Sequence, residues 1–261
     1  MVLTDVDGTI ADARGRVGAH NARAAATLAR AGVQVHLATG RSPASVSTIS
    51  EQMPCASTAI LLNGALVADI GSGLVHRRRD LESSAIATVL AAIDPLPSVA
   101  ALTYTEDGIT VVRDGPGLAD LFRRDGVTPA HSTSFAQVAQ TKQLKLLLIV
   151  HPDELSTLAQ TVRRAAPQVT LIRSEPGYLE VLAPGTDKGV AAATLLDMLD
   201  HRTPTVVAMG NGPNDLPLLG MGDVSLFPDG SHDDVRRPPH LALGAPAARS
   251  LTRLCALLGL S

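Results

Sequence analysis

Asp5 and Asp7 stand two residues apart at the end of the first apolar run, in MVLTDVDGTI, and Gly8 and Thr9 follow at once. If the extended conformation continues that far, both carboxylates share one face of the strand. Like charges that close repel, so the arrangement calls for a bound cation or for a division of acid and base work between the two groups. A turn is the plain alternative, because Asp-Gly is a frequent hairpin connection. Taken alone, the pair leaves these readings level.

Three more apolar runs end in polar turns of unusual content. VQVHLA (33–38) leads into Thr39, Gly40 and Arg41; TAILLN (58–63) ends on Asn63 and Gly64; TVVAMG (205–210) leads into Asn211, Gly212, Asn214 and Asp215. These runs are short and β-rich, and Ala/Leu-rich stretches of helical spacing separate them: about 20–30, from Pro43 onward, about 187–199 and about 213–219, with a further short strand at VSLF (224–227). Such alternation predicts a parallel sheet with helices on its faces. In an open parallel sheet every one of those turns lies along the carboxyl edge, where ligands bind. Loops that merely connect elements explain the glycines, but not two aspartates in one turn and an Asn-Asp pair in another.

The texture changes between these blocks. ALVADIGSGLVH (65–76) alternates around Gly71 and Gly73 as a hairpin would. Beyond it, helices near 81–93, 116–124 and 153–165 mix with strands at 98–113, paired about Glu106-Asp107-Gly108, and at 145–150, 169–173 and 178–182. The expected fold is α/β: a Rossmann-like, doubly wound parallel core at 1–79 and 185–261, with an inserted α+β cap domain at 80–184.

Composition excludes several function classes. The chain has 261 residues, 45% of them hydrophobic, enough for an ample core. A net charge of -3 offers no general basic surface for a phosphate backbone, and 2% aromatic content with no Trp argues against base-stacking platforms. Nucleic acid is therefore not expected as a partner. Nor is a membrane, since no apolar run reaches spanning length and the amino terminus does not read as a signal peptide. Cys55 and Cys255 match no metal spacing and read as buried thiols in a reducing, cytoplasmic compartment.

DVDGT (5–9), ATGR (38–41), Lys188 in GTDKG (185–189) and GNGPND (210–215), in this order, resemble the four motifs of the haloacid dehalogenase superfamily of phosphatases. The NG at 63–64 and the cap between the second and third motifs resemble its Cof-type subfamily, related to sucrose-phosphate and mannosylglycerate-phosphate phosphatases. The resemblance spans essentially the whole chain. It implies a Mg²⁺-dependent phosphatase acting on a small phosphorylated metabolite, such as a sugar phosphate, through a phosphoaspartate. Asp5 would be the nucleophile and Asp7 the acid and base. Thr39 and Lys188 would bind the transferring phosphate, with Thr39 offering both hydroxyl and backbone N–H. Gly40, Arg41 and Asn214 would complete the substrate side, and Asp5, Asp7, Asn211 and Asp215 the metal side.

Asn211 departs from the family pattern, which usually has an Asp there that binds Mg²⁺ directly. An amide oxygen can still ligate a hard cation, with one negative charge fewer. Two alternatives therefore stay open: a phosphomannomutase-like phosphotransferase, and a non-catalytic phosphate-ligand-binding protein. Other polar residues have simpler readings. His36 lies inside an apolar strand as a core residue; SHDDVRR (231–237) reads as a solvated helix start, with a second cation site as the alternative; Arg77, Arg78 and Arg79 read as a solvated linker.

Overall fold

In the computed structural model, residues 1–12, 14–55, 57–131, 135–199 and 205–260 are described. The chain divides into two compact units, Met1–Arg77 with Asp187–Ser261, and Arg78–Thr186.

The first unit is built on β1 (Val2–Thr4), α1 (Ala19–Arg30), β2 (Val35–Leu37), α2 (Pro43–Gln52) and β3 (Thr58–Leu61), followed by a hairpin of β4 (Leu66–Asp69) and β5 (Val75–Arg78). The inserted unit contains α3 (Ser83–Ile93), β6 (Ala100–Tyr104), β7 (Ile109–Arg113), α4 (Leu118–Asp125), β8 (Ala130–His131), α5 (Phe135–Ala139), β9 (Lys145–Ile149), α6 (Leu155–Ala165), β10 (Thr170–Arg173) and β11 (Tyr178–Leu182). The chain then returns to the first unit as α7 (Lys188–Met198), β12 (Val207–Met209), α8 (Leu216–Leu219), β13 (Val224–Asp229), β14 (Leu241–Pro246) and α9 (Ser250–Leu257).

The core sheet has the order β14-β13-β12-β1-β2 and is parallel throughout. Within it β1 has β2 on one side and β12 on the other, so the chain reverses its direction of winding there. A crevice opens beyond the strand ends at such a point. The flanks are apolar for the same reason: Leu3, Ala38 and Ile60 of the strands pack against Ala191, Ala192 and Leu195 of α7 and Leu218 of α8. In the inserted unit the order is β10-β11-β9-β6-β7-β8, antiparallel except between β7 and β8. Leu146, Leu148, Leu179 and Val181 on one face of that sheet pack against Ile86, Val89 and Leu90 of α3 and Leu158 and Val162 of α6. The fold is thus a Rossmann-like α/β core with an inserted, mainly antiparallel cap domain.

Several expectations need correction. β3 touches the parallel sheet only through a bridge between Ala38 and Ile60, and its full ladder is antiparallel, to β4. Leu62 and Asn63, both at positive φ, turn the chain back too tightly for a crossover. Residues 231–237 make turns rather than a helix, and Pro238 and Pro239, which lack N–H donors, stop any continuation. Of the three arginines, Arg78 and Arg79 are exposed as expected, but Arg77 and Arg78 end β5 rather than form a linker, and all three have partners: Arg77 donates to the Gly64 carbonyl at 2.6 Å, Arg78 pairs with Asp80 and Glu106, and Arg79 donates to the Pro184 carbonyl at 3.3 Å. Cys255 is buried and Cys55 only partly so; both are free thiols. His36 is buried with Nδ1 2.9 Å from the Thr58 carbonyl. The motif reading missed β8, α5, β14 and α9.

α9 matters because it braces the turn that follows β1. Asn21, fully buried on α1, donates to the carbonyls of Ile10 at 2.8 Å and Ala247 at 2.7 Å, and accepts from the Leu251 N–H at 3.1 Å. Ser250 donates to the Thr9 carbonyl at 2.6 Å. Replacing Asn21 by Ala strands two buried backbone groups, the Ile10 carbonyl and the Leu251 N–H, each worth about 1–3 kcal/mol when unpaired. Asn21→Ala is therefore expected to lose at least about 2 kcal/mol in denaturant unfolding, and an unchanged midpoint would show that the brace contributes nothing.

Candidate active site

β1 ends at Thr4, and the next residue, Asp5, still donates its backbone N–H to the Met209 carbonyl of β12 at 2.9 Å. Its side chain is thereby fixed at the carboxyl edge of the sheet. Asp5 is buried, and each carboxylate oxygen has a donor: Lys188 Nζ reaches Oδ1 at 2.6 Å, and the Thr9 hydroxyl reaches Oδ2 at 3.0 Å. Lys188 is the first residue of α7 and is fully buried, not a solvated lysine. Its ammonium also donates to Asp215 Oδ1 at 2.6 Å. Burial alone would lower the Lys188 pKa, but Asp215 and Asp5 outweigh it and raise it, so the ammonium stays charged. Burial and then the Asp215 carboxylate push Asp5 up to about 7, against the pull of Lys188.

Asp215 uses its other oxygen to hold its own loop. Oδ2 accepts from the backbone N–H groups of Asn211 and Gly212, each at 2.9 Å. A Cβ at Gly210 would collide with the Asp215 side chain, so only glycine lets the loop wrap this tightly. Both carboxylate oxygens of Asp215 are thus committed to Lys188 and to the loop.

Asp7 points to a different partner. Arg41 grips it with two parallel bonds, Nε to Oδ2 at 2.8 Å and Nη2 to Oδ1 at 2.7 Å, while its own guanidinium is buried and also donates to the Gly15 carbonyl at 3.2 Å. Such a fork fixes both position and orientation of a carboxylate. Thr39 is buried beside it, and its hydroxyl accepts from the Arg41 N–H at 3.1 Å. Its backbone N–H, expected to face phosphate, is instead donated to the Ile60 carbonyl at 2.9 Å, because that bond continues the bridge between the ends of β2 and β3. Ser42, three residues on, caps α2, its hydroxyl accepting from the Ser45 N–H. Gly40 follows Thr39 in the same turn, and Asn214 lies across the edge, its amide 3.4 Å from Asn63 Oδ1.

Asn211 reaches toward the first turn over Gly8, which at φ +74° and without a Cβ leaves room for the amide. The terminal atom of that amide lies 3.0 Å from the Asp7 carbonyl, 3.1 Å from Asp5 Oδ2 and 3.0 Å from Thr9 Oγ1. With no cation present, the end facing these oxygens is the nitrogen. Thr9 has one hydroxyl hydrogen, already given to Asp5, and cannot also serve an amide oxygen. Among the described residues no three His, Cys, Asp or Glu side chains cluster as a metal site. Mg²⁺ does not require that, since it is commonly held by one or two carboxylates with waters and substrate phosphate. Asp5 Oδ2, the Asp7 carbonyl and the amide oxygen of Asn211 are hard donors of the right kind, and they fit such an ion.

Two residues outside the expected set belong to this constellation. Thr9 links Asp5 to Asn211, and its place four residues after the first Asp within one turn was the available signal. Asn63, at φ 52°, is held by its N–H to the Thr39 carbonyl at 2.9 Å and meets Asn214. Positive φ is tolerated best by Asn after Gly, which explains NG at this turn. A Cβ on the neighbouring Gly64 would strike the Asp187 carbonyl, immediately before Lys188.

Residues 2–227 match the model of the haloacid dehalogenase-like hydrolases. The chain belongs to that family. It is a Cof-type phosphatase of the haloacid dehalogenase group, and its relatives carry names of the same kind. The HMP-PP phosphatase of Yersinia pseudotuberculosis is 28% identical over 221 residues, which is 84% of this chain and 80% of the relative. A 5-amino-6-(5-phospho-D-ribitylamino)uracil phosphatase of Bacillus subtilis is 23% identical over 261 residues, 90% of this chain and 89% of the relative. Among solved structures, a subclass IIB sugar phosphatase superposes with a TM-score of 0.85 at 17% identity, covering 99% of this chain and 98% of that one, a likeness of fold.

Lys188 holds two buried carboxylates, so Lys188→Met tests the frame of the site. Breaking a buried pair by removing one partner costs about 3–5 kcal/mol at neutral pH. The variant also removes the lowering influence on Asp5, whose folded-state pKa already lies above its ordinary 3.8. A carboxyl raised further in the folded state is stable when protonated and loses that stability as pH rises through its folded pKa. The stability deficit against the natural chain should therefore widen between about pH 5 and about pH 8 in denaturant titrations. An equal deficit at both pH values would remove the charge argument.

Proposed function

We propose that this phosphatase hydrolyses a small phosphorylated metabolite, a sugar phosphate or a compound of that class, through a phosphoaspartate at Asp5, with Mg²⁺ as cofactor. The observation that carries the reading is the suspension of Asp5 between Lys188 and Thr9 at the carboxyl edge, with a second carboxylate, Asp7, in the same turn. The names of the Yersinia and Bacillus relatives, both phosphatases of small phosphorylated compounds, support the substrate class. Catalysis is assigned to the Rossmann-like unit and substrate selection to the inserted cap domain. Free thiols suit a cytoplasmic setting, and among the described residues no helix is long and apolar enough to cross a membrane.

In the first step an Asp5 oxygen bonds to phosphorus as the ester P–O bond breaks, and Asp7 gives a proton to the departing oxygen. In the second, water bonds to phosphorus, Asp7 takes its proton, and the acyl phosphate bond breaks to return Asp5 and inorganic phosphate. Arg41 sets the direction of Asp7 through both steps, and the proton that Asp7 takes from water in the second step is the one it gives up in the next first step. Delivering the proton in the first step requires Asp7 to loosen one arm of that fork. Lys188 and the Thr39 hydroxyl stabilise the charge on the transferring phosphoryl oxygens. Asp5 Oδ2, the Asp7 carbonyl and Asn211 would hold Mg²⁺, which when bound supplies positive charge to that phosphoryl group.

Phosphate release from a panel of esters, with and without Mg²⁺, tests this reading, with Asp5→Asn as the blank. The natural chain should turn over with Mg²⁺ and Asp5→Asn should not. Asp7→Asn should lose about 10²–10⁴-fold on alkyl esters and less on an activated aryl ester, whose leaving group needs no proton. Natural activity no higher than the blank would leave a binding protein, and equal losses on both ester types would take the acid role from Asp7. Discharge of the phosphoenzyme by a sugar phosphate rather than by water would indicate a mutase.

A further inference from the structure

We infer that the side-chain amide of Asn211 is a two-position switch that stands in for the cation when none is bound and turns over in place to admit it. The inference rests on the Mg²⁺ reading of the same site and goes beyond it. Three oxygens, the Asp7 carbonyl, Asp5 Oδ2 and Thr9 Oγ1, surround one end of that amide at 3.0, 3.1 and 3.0 Å. With nitrogen inward, the two N–H hydrogens are shared among the three oxygens, which need no metal to offset one another. With oxygen inward the Thr9 hydroxyl can turn from Asp5 to the amide oxygen at 3.0 Å, but the contacts with the Asp7 carbonyl and Asp5 Oδ2 become repulsive unless a cation lies among them.

The spacing suits both positions. Hydrogen bonds to an amide nitrogen span about 2.7–3.2 Å. Oxygens at adjacent corners of a Mg²⁺ octahedron, each about 2.1 Å from the metal, lie about 3.0 Å apart. The observed separations of 3.0 and 3.1 Å from the amide to Asp7 O and Asp5 Oδ2 meet both conditions. A half-turn about Cβ–Cγ exchanges donor for ligand without backbone movement, and the bare Cα of Gly8 leaves space beside the amide in either orientation. An Asp at 211 could not do this: without the cation it would set a third carboxylate beside Asp5 and Asp7 with no proton to offer.

Two measurements on the whole chain test the switch, with MgCl₂ as the probe. In ¹⁵N-labelled natural protein, the Asn211 NH₂ pair is identified by its absence from the spectrum of Asn211→Asp, or of Asn211→Ser if the former does not fold. Without divalent cation its hydrogens should exchange slowly; at saturating Mg²⁺ exchange should rise about tenfold or more as these bonds are lost. Thermal melts should cross: Asn211→Asp below the natural protein without cation, and above it with saturating Mg²⁺. If Mg²⁺ shifts the backbone resonances of residues 5–9 while the Asn211 NH₂ stays protected, the switch is wrong and the metal site stands. If Mg²⁺ shifts nothing, both the switch and the cofactor reading fall. Melts that keep the same order with and without Mg²⁺ also overturn the switch.

Discussion

A single buried ammonium, Lys188, organises this site. It holds both Asp5 and Asp215 at 2.6 Å and is itself fully buried. Burial and the Asp215 carboxylate push Asp5 toward the protonated acid, and the ammonium opposes them. Each of its partners ties down a different segment: Asp5 sits at the end of β1, and Asp215 gathers the loop after β12 by two backbone N–H bonds. The lysine therefore joins three stretches of chain far apart in sequence. The parallel sheet brings them near, and the ion pairs set their positions.

Charge accounts for the rest of the arrangement. Asp5, Asp7 and Asp215 face Lys188 and Arg41, three negative charges against two positive. The imbalance is small enough for hydrogen-bond donors to absorb, and Thr9 and Asn211 supply them. Separating the two aspartates of the first turn follows from the same arithmetic. Lys188 takes one and Arg41 the other, so neighbouring carboxylates acquire unlike surroundings. Unlike surroundings are what a nucleophile and a proton carrier require of two otherwise identical groups.

Much of this was legible in the sequence because it depends on local rules. Strand-then-polar-turn placed Asp5, Thr39, Asn63 and Asn211 on one edge before any coordinates, and period and glycine placement located most helices and strands. What stayed hidden depends on pairing at long range. Nothing local in SLTRLCAL marks α9 as the brace of the first turn, yet Ser250 and the Asn21 clamp make it one. Thr39 looked like a double donor because its backbone bond to Ile60 arises only when the ends of β2 and β3 meet. Arg41 could have faced a substrate or a carboxylate, and only the three-dimensional position of Asp7 decides between them.

The departure at Asn211 also looks different in three dimensions. In sequence it is a lost charge, which argues for a weaker metal site. In the fold it is a gained pair of donors at the point where the oxygens of the first turn converge. A chain with Asp at that position would set another carboxylate against Asp5 Oδ2 and the Asp7 carbonyl, a repulsion that Lys188 and Thr9 offset only on the Asp5 side. With an amide, the first turn and the loop after β12 stay joined whether or not a metal is bound. The geometry around Asp5 is thus held by Lys188, Thr9, Asn211 and the backbone bond to Met209, and on the proposed Mg²⁺ reading a cation would enter a site already assembled.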